Sequence, residues 1–223
     1  MKKLILLLVL IILIFICYVS INKKYLGDNG MYNEKGSNYE IIINYPVSGY
    51  RKLDNTVIIK LNNYIDEFKK NISNNDINVN WKYDLIINYR SFNFNNYISY
   101  VFFIEYFTGG AHPNHLIWTV NYDIICDKFV TIDDLVKYNN NILNIFSKIS
   151  RNELMHNKDI VDISMLMEGT MPNILNYSNF VFSNDGIIIY FSYYQVAPYS
   201  SGMFEVLINY KYLWYMLWQT YIR

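Results

Sequence analysis

The chain has 223 residues, 52% of them apolar and 18% aromatic, enough for one medium domain or two small ones that share a core. Its 19 basic and 19 acidic side chains balance to zero, and without a basic stripe it carries no nucleic-acid footprint. Of two cysteines, Cys17 lies in an apolar run and Cys126 stands alone beyond it, which leaves no intramolecular disulfide and no cysteine pair for zinc.

The N-terminus, MKKLILLLVLIILIFICYVSINKK, runs from Leu4 to Ile21 without a charge. That is close to the ~20 apolar residues a helix needs to cross a bilayer. Residues 1–24 are therefore expected as a transmembrane signal-anchor, with Lys2 and Lys3 favouring a cytoplasmic N-terminus and the remainder outside. A cleaved signal peptide and a lipoprotein using Cys17 are the rival readings; FICYVSIN offers a poor cleavage site and Ile16 is bulky for a lipoprotein signal. Without Lys2 and Lys3, 17 of the 19 basic residues face 19 acidic ones, a balance of about −2 outside the membrane.

Residues 25–38 are polar and glycine-bearing and are expected as a linker. YEIIINYPV (39–47) reads as a strand ended by Pro46. From Asp54, an N-cap candidate, Val57, Ile58, Leu61, Tyr64, Ile65, Phe68 and Ile72 recur at helical spacing, predicting an amphipathic helix over 54–71. WKYDLIINYRSF (81–92) and YISYVFFIEYF (97–107) then alternate as strands. In the second, Tyr100, Phe102 and Ile104 share one face, while Val101, Phe103 and Glu105 share the other. LIWTVNYDII (116–125) pairs with it as a hairpin whose tip is GGAHPN.

TIDDL (131–135) reads as a helix start capped by Thr131, and a second helix follows over 140–155, with a short one near Ile163–Met167. FVFSNDGIIIYFS (180–192) is two strand runs joined by an Asn-Asp-Gly turn, and FEVLINY (204–210) is another strand. KYLWYMLWQTY (211–221) is expected as an aromatic helix or docking tail. The order predicts an α+β fold, a mainly antiparallel sheet with helices packed on one face.

The candidate functional residues fall in two loops. In YFTGGAHPNH (106–115), Gly109 and Gly110 supply positive φ to a hairpin tip, and His112 hydrogen-bonds the loop backbone or contacts a ligand. His112 and His115, with Glu105 or Asp123, also form an alternative metal site if the register converges them. In VAPYSSG (196–202), Pro198 fixes the backbone and Tyr199 sits on a bend, either as a rigid binding side chain or packed down with its hydroxyl on backbone. Serine-hydrolase chemistry lacks its Gly-x-Ser-x-Gly elbow, and carboxylate pairs drawn from Asp84, Glu105, Asp123 and Glu205 are unconstrained. Cys126 is expected as a buried small hydrophobe.

Three stretches together carry a resemblance. GGAH at the end of a long strand, then NYDIICDKFVTIDDLV (121–136), and above all FVFSNDGIIIYFSYYQVAPYSSGMFEVLINYKYL (180–213), resemble one extracytoplasmic family. The motif positions are Asp185, Gly186, Tyr194, Ala197, Pro198, Tyr199, Gly202 and Tyr210. The family is the pair of domains of unknown function in the ectodomain of the lysozyme-sensing anti-sigma factor RsiV and in the non-catalytic part of the peptidoglycan deacetylase PdaC. The resemblance covers residues 39 to about 217 and divides the exported part at 39–115 and 116–223.

It implies a binding or sensor domain for a cell-envelope ligand, with lysozyme or a peptidoglycan-related molecule as the candidate. The domain is expected to have no catalytic activity, no cofactor, no metal and no nucleic-acid partner. Only Met1–Lys3 precede the apolar run, so direct sigma-factor sequestration is not expected of this chain. The ligand-binding residues expected are His112, Pro198, Tyr199, Gly109 and Gly110. The competing readings are a metal-dependent envelope hydrolase centred on His112 and His115, and a structural envelope protein.

Overall fold

A computed structural model describes residue 26 and residues 30–73 and 81–213. The expected membrane segment and most of the aromatic tail lie outside the described residues, among which no helix is long and apolar enough to cross a membrane. The architecture is α+β, and its strands divide into two sheets.

The first sheet holds six strands in the order β1 (Met31–Lys35), β2 (Tyr39–Asn44), β3 (Tyr83–Phe94), β4 (Tyr97–Phe107), β5 (Asn114–Asp123) and β6 (Lys128–Phe129). All its neighbours pair antiparallel except β2 and β3. Those two run parallel because a helix, α1 (Arg51–Ser73), carries the chain from one to the other. Met31–Lys35, inside the stretch expected as a linker, is a strand: Glu34 pairs opposite Ile41 and accepts a hydrogen bond from Lys69 at 2.6 Å.

Leu53, Val57, Leu61, Ile65 and Phe68 make one buried stripe on α1, the 3.6-residue period laid on a flat surface. They pack on Ile41, Ile43, Leu85, Ile87, Phe102 and Ile104, the alternate residues of β2, β3 and β4. α1 begins at Arg51, three residues before the expected cap. The Asp54 carboxylate reaches back to Ser48 N–H and Oγ and to Gly49 N–H at 2.7–3.0 Å, so it acts from the first turn instead of from the cap.

The second half builds its own core. α2 (Ile132–Tyr138), α3 (Ile142–Met155) and α4 (Ile163–Gly169) cover an antiparallel sheet of β7 (Phe180–Phe182), β8 (Gly186–Phe191) and β9 (Phe204–Asn209). Thr131 caps α2 as expected, its N–H and Oγ donating to the Asp134 carboxylate at 2.9 and 2.8 Å. Phe146, Leu166, Tyr177, Phe180, Phe191 and Ile208 form the centre of this core.

The two halves meet face to face. Val101 from β4 packs with Val181 and Tyr190. Beside them Ser99 donates to Asn121 at 2.6 Å, Asn121 Nδ2 donates to Phe180 O at 2.9 Å, and Phe182 N–H donates to Ser99 Oγ at 3.3 Å. β7 thus docks on the sheet face turned away from α1, but covers only part of it.

A further expectation is corrected. Cys126 is exposed, not buried, because it sits in the turn between β5 and β6 where Asp123 ties the Ile125 and Cys126 N–H groups.

Candidate functional site

The uncovered part of the first sheet ends at the β4–β5 hairpin. Glu105 faces His115 across that hairpin, Ile104 faces Leu116, and the chain turns over residues 108–113. Gly109 and Gly110 have φ of +98° and +118°, the left-handed side of backbone space where a Cβ is strained.

The second loop is held from below. Gly169 lets the end of α4 approach so closely that a Cβ there would lie 1.9 Å from Gln195 O. Gln195 Nε2 donates to Asn176 O at 3.0 Å and to Gly169 O at 3.3 Å, while Val196 and Ala197 are buried. With those residues turned inward, Tyr194 is exposed, with a φ of +63°, and Tyr193 and Tyr199 are half-buried.

The two loops come together. Tyr199 donates its hydroxyl to Pro113 O at 2.9 Å, and its ring stacks on His112 with centroids 4.0 Å apart. The His115 ring stacks nearly parallel on Tyr193 at 4.4 Å, and Tyr193 and Tyr194 both lie within 5.5 Å of the Tyr199 ring. Pro198 precedes the single helical turn Tyr199–Ser201 that presents the tyrosine. Burial pushes the Tyr199 phenol above its ordinary range, and Tyr193, Glu105 and Tyr194 add to the shift.

Below this aromatic cluster lies a cleft of about 270 Å³ lined by Ile86, Asn88, Phe103, Glu105, His115 and Tyr193. Glu105 Oε2 lies 3.5 Å from His115 Nδ1. Asp84 stands next to Glu105 on the same face, since Asp84 pairs with Phe107 and Ile86 with Glu105. Its Oδ1 is buried without a hydrogen-bond partner among the described residues, and burial, then the Glu105 charge, raise its carboxyl above the usual range against the Phe107 N–H and the Lys82 charge, which lower it.

The histidines therefore part instead of converging on one point. His112 Nδ1 lies 2.8 Å from Pro113 O with its ring on Tyr199, while His115 turns to Tyr193 and Glu105. Asp123 is at the opposite end of the hairpin, paired with Tyr97. Among the described residues no three His, Cys, Asp or Glu side chains gather as a metal site.

Other motif positions serve the scaffold. A Cβ on Gly186 would meet Ile208 O at 2.2 Å, and Tyr210 stacks on Phe94 at 4.7 Å. Tyr193 and Asn88 were not singled out from the sequence; their only signals there were a place beside the Tyr-x-x-Ala-Pro-Tyr run and on an alternating strand.

Two families match the chain: one described as deacetylase PdaC over residues 32–115, and DUF3298, a protein family of unknown function, over residues 133–211. A curated relative, the peptidoglycan-N-acetylmuramic acid deacetylase PdaC of Bacillus subtilis (strain 168), is 32% identical over 190 residues. The match takes in 84% of this chain but spans only 41% of that protein. Two solved structures share the fold. A DUF3298 member from Bacteroides fragilis NCTC 9343 is 20% identical with a TM-score of 0.54, covering 81% of this chain and 88% of its own. Another from Pseudomonas aeruginosa PAO1 is 14% identical with a TM-score of 0.50, covering 83% and 94%.

Proposed function

Because this chain carries the PdaC and DUF3298 domain pair, in that order, we propose that it is a non-catalytic binding domain of the cell envelope, held at the membrane outside the cell by residues 4–21. Its ligand sits over the aromatic cluster of the two loops and in the cleft beneath. One observation carries this reading. Two loops 86 residues apart meet through Tyr199 and Pro113, and their meeting leaves a cleft lined by rings and a few polar groups, the composition of ligand sites in general. His112, Pro198 and Tyr199 belong to the aromatic cluster that adjoins the cleft through Tyr193, and Gly109 and Gly110 let the hairpin tip take its course.

Wall glycan is the first ligand class to test, given the substrate named for the B. subtilis relative, and lysozyme is the second. The test is calorimetric titration of the full chain in detergent with peptidoglycan fragments and, separately, with lysozyme. Binding by one of them that falls at least tenfold in both Tyr199→Ala and His112→Ala, with unchanged melting temperatures, is the expected result. Binding that ignores both substitutions, or none at all, would remove this surface from the function.

A further inference from the structure

The cleft is selective in its chemistry. At about 270 Å³ it falls just under the ~300–1,000 Å³ of sites for drug-sized ligands, so it takes one ring-sized group and not a long stretch of chain. Its walls are of two kinds. Phe103 and Tyr193 offer ring surfaces, whose negative faces attract the weakly positive C–H face of a sugar and attract a cation more strongly. The other wall is acidic, with Glu105 in the lining and Asp84 beside it.

Two basic side chains stand near this wall, each held by an acidic partner. Lys82 is bound by Glu40 while its charge still reaches Asp84, and Arg90 is bound by Glu205 at 2.8 Å with its guanidinium 5.1 Å over the Phe103 ring. Among the described residues Glu105 faces the His115 ring nitrogen at 3.5 Å, and Asp84 Oδ1 is buried without a hydrogen-bond partner, the carboxylate's backbone donor being Phe107 N–H. A buried acceptor without a donor is unfavourable, and a charged donor satisfies it best.

We propose that the cleft recognises an amino sugar with a free 2-amino group, that is, a de-N-acetylated glycan residue, with its ammonium on Glu105 and Asp84 and its ring against Tyr193 and Phe103. This rests on the binding reading above and names the ligand for it. An ammonium brings three N–H donors and a positive charge beside two neighbouring carboxylates, whose repulsion Lys82 offsets only in part. An acetamide brings one donor, no charge and a methyl group that has to lie against Glu105. The preference therefore runs toward the deacetylated sugar.

The experiment titrates the full chain in detergent with four probes: a β-1,4-glucosamine tetramer, its fully N-acetylated counterpart, tetralysine and lysozyme. The glucosamine tetramer is expected to bind at least tenfold more tightly than the acetylated one and than tetralysine. Glu105→Gln is expected to erase that preference and Tyr193→Ala to weaken both saccharides. Asp84→Asn acts in the same direction as Glu105→Gln, which keeps the test intact if either variant folds poorly.

Equal or tighter binding of the acetylated tetramer, still lost in Tyr193→Ala, would overturn the amine assignment and leave the binding function standing. Tetralysine binding as tightly as the glucosamine tetramer would reduce the site to general charge attraction and overturn it too. Binding of lysozyme alone, unchanged in Glu105→Gln, would point to a protein ligand and reject the sugar. Silence from all four probes would overturn both the assignment and the function beneath it.

Discussion

Single carboxylates in this protein take opposite courses, and each neighbourhood explains why. Glu34, on the edge strand β1, is partly buried, which by itself raises its carboxyl, yet hydrogen bonds from Lys69, Tyr32 and Tyr39 outweigh burial and hold it at about 2 instead of 4.5. Asp84 has no comparable set of donors and is raised. Because the folded-state value of Glu34 lies below its unfolded one, its contribution is fully present above about pH 4.5 and is lost as the pH falls toward 2. That contribution is on the order of 2–3 kcal/mol, about a quarter of the side chain being exposed and screened. Glu34→Gln is thus expected to lower stability near neutrality by on the order of 2 kcal/mol and to flatten the acid limb of a stability-against-pH curve measured by urea unfolding. An unchanged acid limb would show that the three donors do not hold the ionised form.

Elements differ in how far their residues announce them. β4 was legible to its last residue because apolar side chains alternate against two different partners, α1 on one face and β7 on the other. β1, MYNEK, carries no such alternation; its place comes from Glu34 meeting Lys69 across 35 residues, which no local pattern encodes. The candidate site divides in the same way. Glycines and a proline marked both loops, but that Tyr199 would close on Pro113 depends on how α4 and Gln195 seat the second loop. The hydroxyl bond is what pins the hairpin tip to that loop. Tyr199→Phe keeps the ring on His112 and removes the bond, with an expected loss of about 1 kcal/mol. Hydrogen exchange is expected to quicken at residues 108–115 while the amides of β3 and β8 stay protected; equal exchange at the tip would mean that stacking alone holds the loops.

At the scale of the whole molecule, the described residues form two main cores joined along a seam. One core gathers α1 and the first sheet around Ile41, Ile65 and Phe102, and the other gathers α2–α4 and β7–β9 around Phe146, Tyr177 and Phe191. Between them lie Val101, Val181 and Tyr190 and the hydrogen bonds of Ser99 and Asn121, flanked by Tyr97 on Phe182, Phe94 on Tyr210, Arg90 on Glu205 and Tyr199 on Pro113. A strand expected in one common sheet joins the second because those polar residues, ordinary in the sequence, are buried and spend their groups on β7 backbone. The seam also places the functional cleft, since β7 covers one end of the sheet face and leaves the hairpin end open to the tyrosine loop. Removing the polar part of the seam is expected to uncouple the cores before it unfolds either. In the double variant Ser99→Ala with Asn121→Ala, the Phe182 N–H and Phe180 C=O lose their side-chain partners in a buried place, at a cost of about 1–3 kcal/mol for each unsatisfied group. Each core keeps its own apolar contacts, so that cost falls on docking. Calorimetry should then resolve two transitions where the parent chain gives one, and ligand binding should weaken although no residue of the cleft has changed. A single transition moved to lower temperature would show that the cores fold only together, with the seam as part of one cooperative unit.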